Sequence, residues 1–345
     1  MPLPTTIPHS IAPSPPETSN ILESTLMLLW NIRHPLQQFT QPLVPVSDRI
    51  TYQSDDGWRV TMERFPNTAG RGEPLLLCTG PILHPRSLRI GSADLLRGLQ
   101  NMGFDVYLFS HRGQRNSEHH RPLTSQSIGW SNLINKDVIA AIDAIKRFTR
   151  ADKIFWLGHG LGGLMLYSLL SIGGERDIAG GISIDAPALF TPHKLPLPLK
   201  ILQKIWNHER VFPSKVFAQL YAQLDPHILG SITAEQKRGI LYHCCENISS
   251  RLSAEISDWL ETGRFCTNNQ HHLSTLRGVK TPLLFCSGDD DERSTYVSYT
   301  SQYFRNPSIV QGAWNAFPFW EDAPPLLDQI ESWVIDKKDS CWGCD

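Results

Sequence analysis

The sequence predicts an α/β fold in which helices flank a mostly parallel central sheet. Short apolar runs with the length of buried strands alternate with amphipathic helical patterns from residue 75 to residue 184. Such alternation is typical of parallel strands joined by helical crossovers. The alternation stops near residue 188 and resumes at residue 283. Apolar residues make up 41% of the 345 residues, which is enough to fill a sizeable core.

Each element is predicted from its own pattern. Ile50–Tyr52 and Trp58–Met62 flank the pair Asp56-Gly57, which is a strong signal for a β-hairpin. Apolar runs predict the later strands, and helical periodicity with start and stop signals predicts the helices. The later predicted strands are 75–79, 104–109, 153–157, 181–184, 283–286 and 309–310, and the predicted helices are 93–101, 137–147, 161–172, 213–224, 247–261 and 325–334.

The break in the alternation determines the predicted domain organisation. Residues 188–275 contain helix-like stretches and no convincing strand. We expect them to form an all-helical cap over the carboxyl ends of the strands, where parallel sheets bind their ligands. The other predicted parts are a disordered tail at 1–20, an N-terminal helical segment at 21–45, a core at 46–187 and 276–336, and a C-terminal tail at 337–345.

Composition and charge exclude several classes of protein. The chain has 32 basic and 34 acidic residues, so it lacks the basic surface that nucleic-acid binding requires. No stretch approaches about 18 uninterrupted apolar residues, so no transmembrane helix is predicted. Arg33 is the first basic residue, so a basic secretory leader is not predicted either. Seven scattered cysteines do not indicate a disulfide framework, and we expect a cytoplasmic protein.

The most informative stretch is a strand, a glycine-rich turn and a helix start at residues 154–164, with Gly158, Gly160 and Gly162 at alternate positions. Here the chain resembles the α/β-hydrolase superfamily, and within it the branch of acid lipases, esterases and polyhydroxyalkanoate synthases. The resemblance implies an α/β-hydrolase fold and the chemistry of carboxylic esters or lipids. The other segments that carry it are Gly103–Leu108, Arg112-Gly113-Gln114, Asp137–Ile145 and Asp322-Ala323-Pro324.

The catalytic machinery that the resemblance implies is incomplete. In the G-x-S-x-G elbow of this superfamily a sharp turn presents the nucleophilic serine, and the matching position is Gly160. The acid position matches Asp291, whereas the base position falls at Trp314 or Asn315, and the last histidine of the chain is His272. In subtilisin, loss of such groups lowers the rate by about six orders of magnitude. We therefore expect no intact catalytic triad and a catalytically degenerate protein.

The oxyanion site also departs from the family pattern. The family often has His-Gly after this strand, where the chain has Thr79-Gly80-Pro81. Backbone N–H groups of this loop and of the glycine-rich turn can still bind an oxyanion or carboxylate. We expect an acyl or other apolar small molecule, or a protein partner, and neither a cofactor nor a metal ion. The predicted ligand-binding residues are Thr79, Gly80, Pro81, His159, Gly160 and Leu161.

Two other functions remain open at this point. An active but unconventional ester hydrolase or acyltransferase would take its nucleophile from elsewhere, or would hold a water with Asp291 and the oxyanion donors. The glycines in Gly158-x-Gly160-x-x-Gly163 also match a dinucleotide-binding fingerprint. In that case Asp185, which ends the next strand, would be the acid that meets the ribose hydroxyls.

Two segments outside the predicted core have weaker signals. Residues 21–32 form a short apolar stretch, which would allow weak peripheral membrane contact but lacks a face rich in lysine and arginine. Cys341-Trp342-Gly343-Cys344 has the spacing of a redox motif, but no predicted strand precedes it and no predicted helix follows it. Neither segment changes the predicted function.

Overall fold

The computed structural model describes the core of the chain and part of the predicted cap. The predicted segments at 1–20 and 21–45, the predicted helix at 213–224, Trp314 and Asn315 lie outside the described residues. The side chain of Asp291 is outside them as well. The described residues are 46–89, 94–114, 117–119, 128–192, 211–212, 244–266, 272–288, 291–312 and 323–342.

A nine-stranded sheet forms the centre of the described structure, in the order β1-β2-β4-β3-β6-β7-β10-β11 with β5 paired to β2. The six strands from β4 to β11 along this order pair in parallel, and β1, β2 and β5 pair antiparallel. The predicted α/β class with a mostly parallel sheet is confirmed. The strands are β1 (Asp48–Gln53), β2 (Trp58–Phe65), β3 (Glu73–Cys78), β4 (Phe104–Leu108), β5 (Ser117–His119), β6 (Ile154–His159), β7 (Ile178–Ile184), β10 (Leu283–Ser287) and β11 (Pro307–Gln311), and the separate pair β8 (Val211–Phe212) and β9 (Ile248–Ser249) lies in the predicted cap.

Helices join most of the parallel strands, as the alternation predicted. Short 3-10 helices lie at Pro85–Arg89, Gly174–Asp177 and His272–Gly278. A π-helical segment, Leu133–Val138, separates the second and third α-helices. The α-helices are α1 (Asp94–Asn101), α2 (Trp130–Asn132), α3 (Ile139–Thr149), α4 (Leu161–Ser171), α5 (Ser250–Thr262), α6 (Asp291–Ser301) and α7 (Ala323–Trp342).

The hairpin at the start of the sheet forms where Asp56-Gly57 predicts it. Gly57 has a φ of +92°, which favours glycine, and its N–H donates to the Ser54 carbonyl at 3.0 Å. Strands β3, β4 and β6 are buried almost throughout, as expected for parallel strands covered on both faces. This burial explains why they appear in the sequence as continuous apolar runs.

Two expectations need correction. The predicted all-helical cap contains the antiparallel pair β8–β9 in addition to helix α5, because two-residue strands leave no periodic pattern in a sequence. The predicted C-terminal tail at 337–345 begins as helix, since α7 continues to Trp342 rather than ending near residue 334. Residues 335–342 contain no glycine or proline that would stop the helix.

The described cap residues share one hydrophobic core with the sheet. Trp259 of α5 packs edge-on against Trp130 with ring centroids 4.9 Å apart, and Phe265 contacts both rings. The indole N–H of Trp130 in turn donates to the hydroxyl of Ser168 on α4 at 2.9 Å. Helix α5 is therefore joined through one aromatic cluster to the helix that starts at Leu161. None of the described helices combines the length and apolar character needed to cross a membrane.

Candidate functional site

The turn between β6 and α4 has a sharply strained backbone, and we call its residues 158–162 the elbow. Gly160 has a φ of +52° and a ψ of −117°, a combination that residues with a side chain rarely adopt. Its N–H donates to the Ile184 carbonyl at 2.9 Å, and its carbonyl accepts from the N–H of Gly163 at 3.0 Å. The turn therefore places position 160 at the carboxyl edge of the sheet, at the start of a helix.

The three elbow glycines differ in the space around them. An ideal Cβ on Gly162 would lie 2.0 Å from the Cys78 carbonyl oxygen, and one on Gly158 would lie 2.4 Å from the Gly162 carbonyl oxygen. An ideal Cβ on Gly160 would have no described atom within 4 Å. Packing therefore requires glycine at positions 158 and 162, whereas position 160 has room for a side chain.

The loop after β3, residues 79–84, packs directly against the elbow, and we call it the oxyanion loop. Gly80 has a φ of +81°, and an ideal Cβ on it would lie 2.5 Å from the Cβ of Leu161. The hydroxyl of Thr79 donates to the Leu83 carbonyl at 2.6 Å, which closes the loop on itself. Pro81 follows Gly80 and has no N–H to offer an oxyanion. Thr79 therefore closes the loop through its side chain, and Pro81 contributes no N–H to it.

Residues 244–246, in the predicted cap, bond to the oxyanion loop through backbone atoms. Leu83 and Cys245 form an antiparallel bridge. The N–H of His84 donates to the Cys244 carbonyl at 2.6 Å, and the N–H of Glu246 donates to the Ile82 carbonyl at 2.8 Å. Residues 244–246 of the predicted cap are therefore hydrogen-bonded to the loop, which also contacts the elbow through Gly80 and Leu161.

A small cavity lies between this loop and the cap. Its volume of about 20 Å³ is enough for roughly one water molecule. Pro81, His111, Gln114 and Leu252 are among its lining residues. An acyl chain does not fit into this space, so we do not assign the predicted ligand to this cavity.

The structure brings together the two loops that carry the six predicted ligand-binding residues, through the contact between Gly80 and Leu161. His159 is the last residue of β6 and is half-buried. The predicted acid, Asp291, is the first residue of α6 after strand β10. Ligand binding by these residues and the role of Asp291 stay predictions.

Comparison with known proteins places this geometry in a family. A family model described as "Serine aminopeptidase, S33" matches residues 90–304, which is more than half of the chain. The chain belongs to this α/β-hydrolase family. The match includes β4, the elbow and β10, so the glycine-rich turn lies within the matched region. The dinucleotide interpretation of Gly158, Gly160 and Gly163 stays a prediction.

Curated relatives and solved structures agree with the family. Triacylglycerol lipase 2 of Arabidopsis thaliana is 28% identical over 155 residues, which cover 41% of this chain and 37% of that protein. Lipase lipl-3 of Caenorhabditis elegans is 21% identical over 264 residues, covering 66% of this chain and 61% of that protein. The chain thus spans less than two thirds of the length of both relatives.

Among solved structures, the esterase EaEST of Exiguobacterium antarcticum superposes with a TM-score of 0.57 at 13% identity, covering 83% of this chain and 98% of that one. A monoacylglycerol lipase of Paleococcus ferrophilus superposes with a TM-score of 0.52 at 19% identity, covering 80% and 98%. At these identities the likeness shows the fold alone.

Cys78 carries a thiol beside the elbow, but its surroundings do not favour a nucleophile. Cys78 contacts Gly162 through its carbonyl, and its thiol donates to the Met165 sulfur at 3.6 Å. Burial raises the pKa of the Cys78 thiol to about 12, although the N–H of Gly80 opposes the shift. The thiolate, which is the reactive form, is therefore scarce at neutral pH.

His111, which interacts with Gly80 of the oxyanion loop, is also poorly suited to act as a general base. His111 is buried, and its Nδ1 lies 3.0 Å from the Arg112 carbonyl, so Nδ1 carries the proton. Burial lowers the pKa of His111 to about 4, while the Arg112 and Gly80 carbonyls oppose the shift. A general base works best with a pKa near the operating pH, so His111 is a weak base at pH 7.

Sequence reasoning assigned Asp185 only to the dinucleotide alternative, but the structure places it next to the elbow. Asp185 follows Ile184, whose carbonyl accepts the Gly160 N–H. Its φ is +46°, and it is 7% exposed. One carboxylate oxygen accepts the N–H of Gly288 at 3.3 Å, which ties Asp185 to the end of β10. The sequence contains no signal for this backbone conformation, because tertiary hydrogen bonds impose it.

Proposed function

We propose that this chain is a catalytically degenerate α/β hydrolase that binds an acyl or other apolar small molecule at the elbow without cleaving it. Gly160 carries the proposal: its backbone has the strained elbow conformation, there is room for a side chain, and no nucleophile stands there. The residues at the base position, Trp314 and Asn315, add a second missing group.

Two side chains near the elbow, Cys78 and His111, support this proposal over an unconventional hydrolase. The Cys78 thiol has a pKa of about 12 and the His111 ring has a pKa of about 4, so neither group is ready for nucleophilic or base catalysis at neutral pH. Pro81 removes one N–H from the loop that supplies the second oxyanion donor in related enzymes. An acyl ligand fits the names of the relatives, both of which are lipases.

A reactive fluorophosphonate tests the catalytic part of the proposal. The probe phosphonylates any activated serine, whose oxygen displaces fluoride from phosphorus, and intact-mass analysis counts the adducts. We expect no adduct on the wild-type chain, while an active serine hydrolase treated in parallel is fully labelled. A stoichiometric adduct would overturn the proposal, and its mapped position would identify the nucleophile. Turnover of p-nitrophenyl butyrate at an ordinary enzyme rate, about 1–10³ s⁻¹, would overturn it too.

A further inference from the structure

We infer that the small cavity beside the oxyanion loop is the binding site of one buried water molecule, which accepts a hydrogen bond from the side-chain amide of Gln114 and donates one to Nε2 of His111. This inference is independent of the proposed function, because the cavity is too small for an acyl ligand. It assigns a ligand to two buried side chains that have no part in the elbow.

Two buried nitrogen atoms are the first observation. His111 and Gln114 are each 3% exposed. Among the described residues, neither Nε2 of His111 nor Nε2 of Gln114 has a hydrogen-bond partner. Buried polar atoms in folded proteins are nearly always paired with protein or with ordered water, and an unpaired one destabilises the fold. Each of the two nitrogens therefore needs a further partner.

The shared cavity is the second observation. Both residues line it, and its volume of about 20 Å³ accommodates roughly one water molecule. Arg112 lines it as well, but its guanidinium bonds to Asp137. Ser249 is a further lining residue and donates to the Ile128 carbonyl, while Asn247 is exposed. The unpartnered nitrogens and the space for their partner therefore belong to the same part of the molecule.

The two nitrogens have opposite hydrogen-bonding roles. Since Nδ1 of His111 donates to the Arg112 carbonyl at 3.0 Å, the neutral ring has Nε2 as an acceptor. The Gly80 carbonyl also interacts with this ring, but a second acceptor cannot pair with the Nε2 lone pair. Oε1 of Gln114 accepts the His111 backbone N–H at 3.3 Å, so the Nε2 of Gln114 is a donor. One water molecule pairs with both atoms, because water donates and accepts.

Charge favours water over an ion in this cavity. A cation would lie near the guanidinium of Arg112 and would face the N–H groups of Gln114, whereas an anion would face the lone pair of His111. In the part of the chain that the structure describes, no group of three His, Cys, Asp or Glu side chains is arranged to hold a metal ion. The site therefore suits a small neutral molecule that both donates and accepts hydrogen bonds.

The position of the cavity gives the water a structural role. His111 and Gln114 follow strand β4, Pro81 belongs to the oxyanion loop, and Leu252 belongs to helix α5. All four residues line the cavity. The bound water therefore pairs the polar atoms at the junction of these three parts.

A high-resolution crystal structure of the wild-type chain tests the site directly. We expect one ordered water at about 2.7–3.2 Å from both Nε2 atoms. The inference is overturned if the two side chains bond to each other or to other residues, with no water density between them.

Oxygen-17 magnetic relaxation dispersion tests the site in solution, because it counts the water molecules that stay bound for longer than nanoseconds. Gln114→Leu leaves the water with one described polar partner, fewer than a buried water needs, so we expect one long-lived water fewer than in the wild-type chain. Gln100→Leu is the matched control: Gln100 on α1 donates to the Pro66 carbonyl at 2.6 Å and lies outside the lining of this cavity. It should keep the wild-type count.

A wild-type count of long-lived waters in Gln114→Leu would overturn the inference. Circular dichroism first shows that each variant is folded. Should Gln114→Leu fail to fold, the wild-type crystal structure decides alone, since it needs no substitution. Neither experiment depends on an acyl ligand, so the proposed function stands or falls separately.

Discussion

The α-carbon of Gly162 lies so close to the Cys78 carbonyl oxygen that an ideal Cβ would be 2.0 Å from it. This contact joins the start of α4 to the end of β3 and sets the distance between the elbow and the oxyanion loop. Real Cβ atoms do not approach a backbone oxygen so closely, so any larger residue at position 162 must move one of two central elements. The elbow is thus preserved by packing even though position 160 carries no functional group.

A pair of alanine substitutions in the same turn tests this packing. Gly162→Ala is expected to lower the free energy of unfolding by at least about 3 kcal/mol, because the clash is with backbone. Gly160→Ala is expected to cost only about 1–2 kcal/mol, since its side chain has room and only the positive φ is unfavourable. Urea denaturation at pH 7.5 measures both values. Equal losses would contradict the difference in space around the two glycines.

The proposed function predicts that a serine and a histidine introduced at the matching positions create hydrolysis in steps. Gly160→Ser with Asn315→His should give measurable turnover of p-nitrophenyl butyrate. Adding Pro81→Ala should raise kcat by about 10²–10³-fold, because alanine returns an N–H to the oxyanion loop. The control is Pro81→Ala alone, which should remain inactive. A triple variant no more active than the double would show that Pro81 does not limit the oxyanion site.

Burial of His111 predicts a loss of stability in acid. Its pKa is about 4 in the folded chain, below the ordinary value of 6.5. Above pH 6.5 the ring is neutral in both states, so no stability is lost; as the pH falls from 6.5 to 4, the unfolded chain takes up a proton that the folded chain excludes. The loss in unfolding free energy due to His111 is about 3 kcal/mol by pH 4.

The measurement is the urea-derived unfolding free energy at pH 7.5, 5 and 4. His111→Phe should show a smaller decrease than the wild-type chain across this range, whatever its stability at pH 7.5. His119→Gln, at a half-buried position on β5, is the control and should keep the wild-type decrease. A parallel decrease in the wild-type and His111→Phe chains would rule out this source of acid sensitivity.

Replacing the buried Arg112 is expected to lower the free energy of unfolding strongly. Its guanidinium is buried and bonds to Asp137, which is fully buried, and to Asp56 in the hairpin loop. Burial raises the pKa of Asp137 to about 6, and Arg112 opposes that shift. Arg112→Met leaves the Asp137 carboxylate without a cation and is expected to cost about 3–5 kcal/mol. A second change, Asp137→Asn, should recover part of this loss.

The matched control is an ion pair of the same type at the surface. Arg59 and Glu118 are exposed partners on β2 and β5, and Arg59→Met is expected to cost no more than about 1 kcal/mol. Thermal unfolding followed by circular dichroism compares the two variants. Similar losses for Arg112→Met and Arg59→Met would mean that burial does not govern the strength of the Arg112 network.

Much of the fold is predictable because its signals are local. The parallel strands appear as apolar runs, and Asp56-Gly57 marks the hairpin. Strand β7 starts three residues earlier than predicted because Gly180 and Gly181 interrupt its apolar run. An ideal Cβ at Gly181 would lie 2.5 Å from a methyl carbon of Leu283, so packing against the neighbouring strand removes the side chain that would have marked the element.

Other features depend on contacts that a sequence does not display. The π-helical segment at Leu133–Val138 differs from an α-helix by its hydrogen-bond register, which leaves the same residue types in place. The elbow was predictable from the spacing of its glycines, whereas the positive φ of Asp185 was not. Its conformation follows from hydrogen bonds to β10, whose residues lie about a hundred positions away along the chain.

The antiparallel bridge between Leu83 and Cys245 makes the oxyanion loop and the cap one mechanical linkage. A force that displaces Cys245 acts on the loop through main-chain hydrogen bonds and reaches Leu161 through Gly80. Since those hydrogen bonds use backbone N–H and carbonyl groups only, substitutions that change the side chains of this stretch leave the connection in place. Proline at position 246, which would delete a donor, is the kind of change that uncouples the two parts.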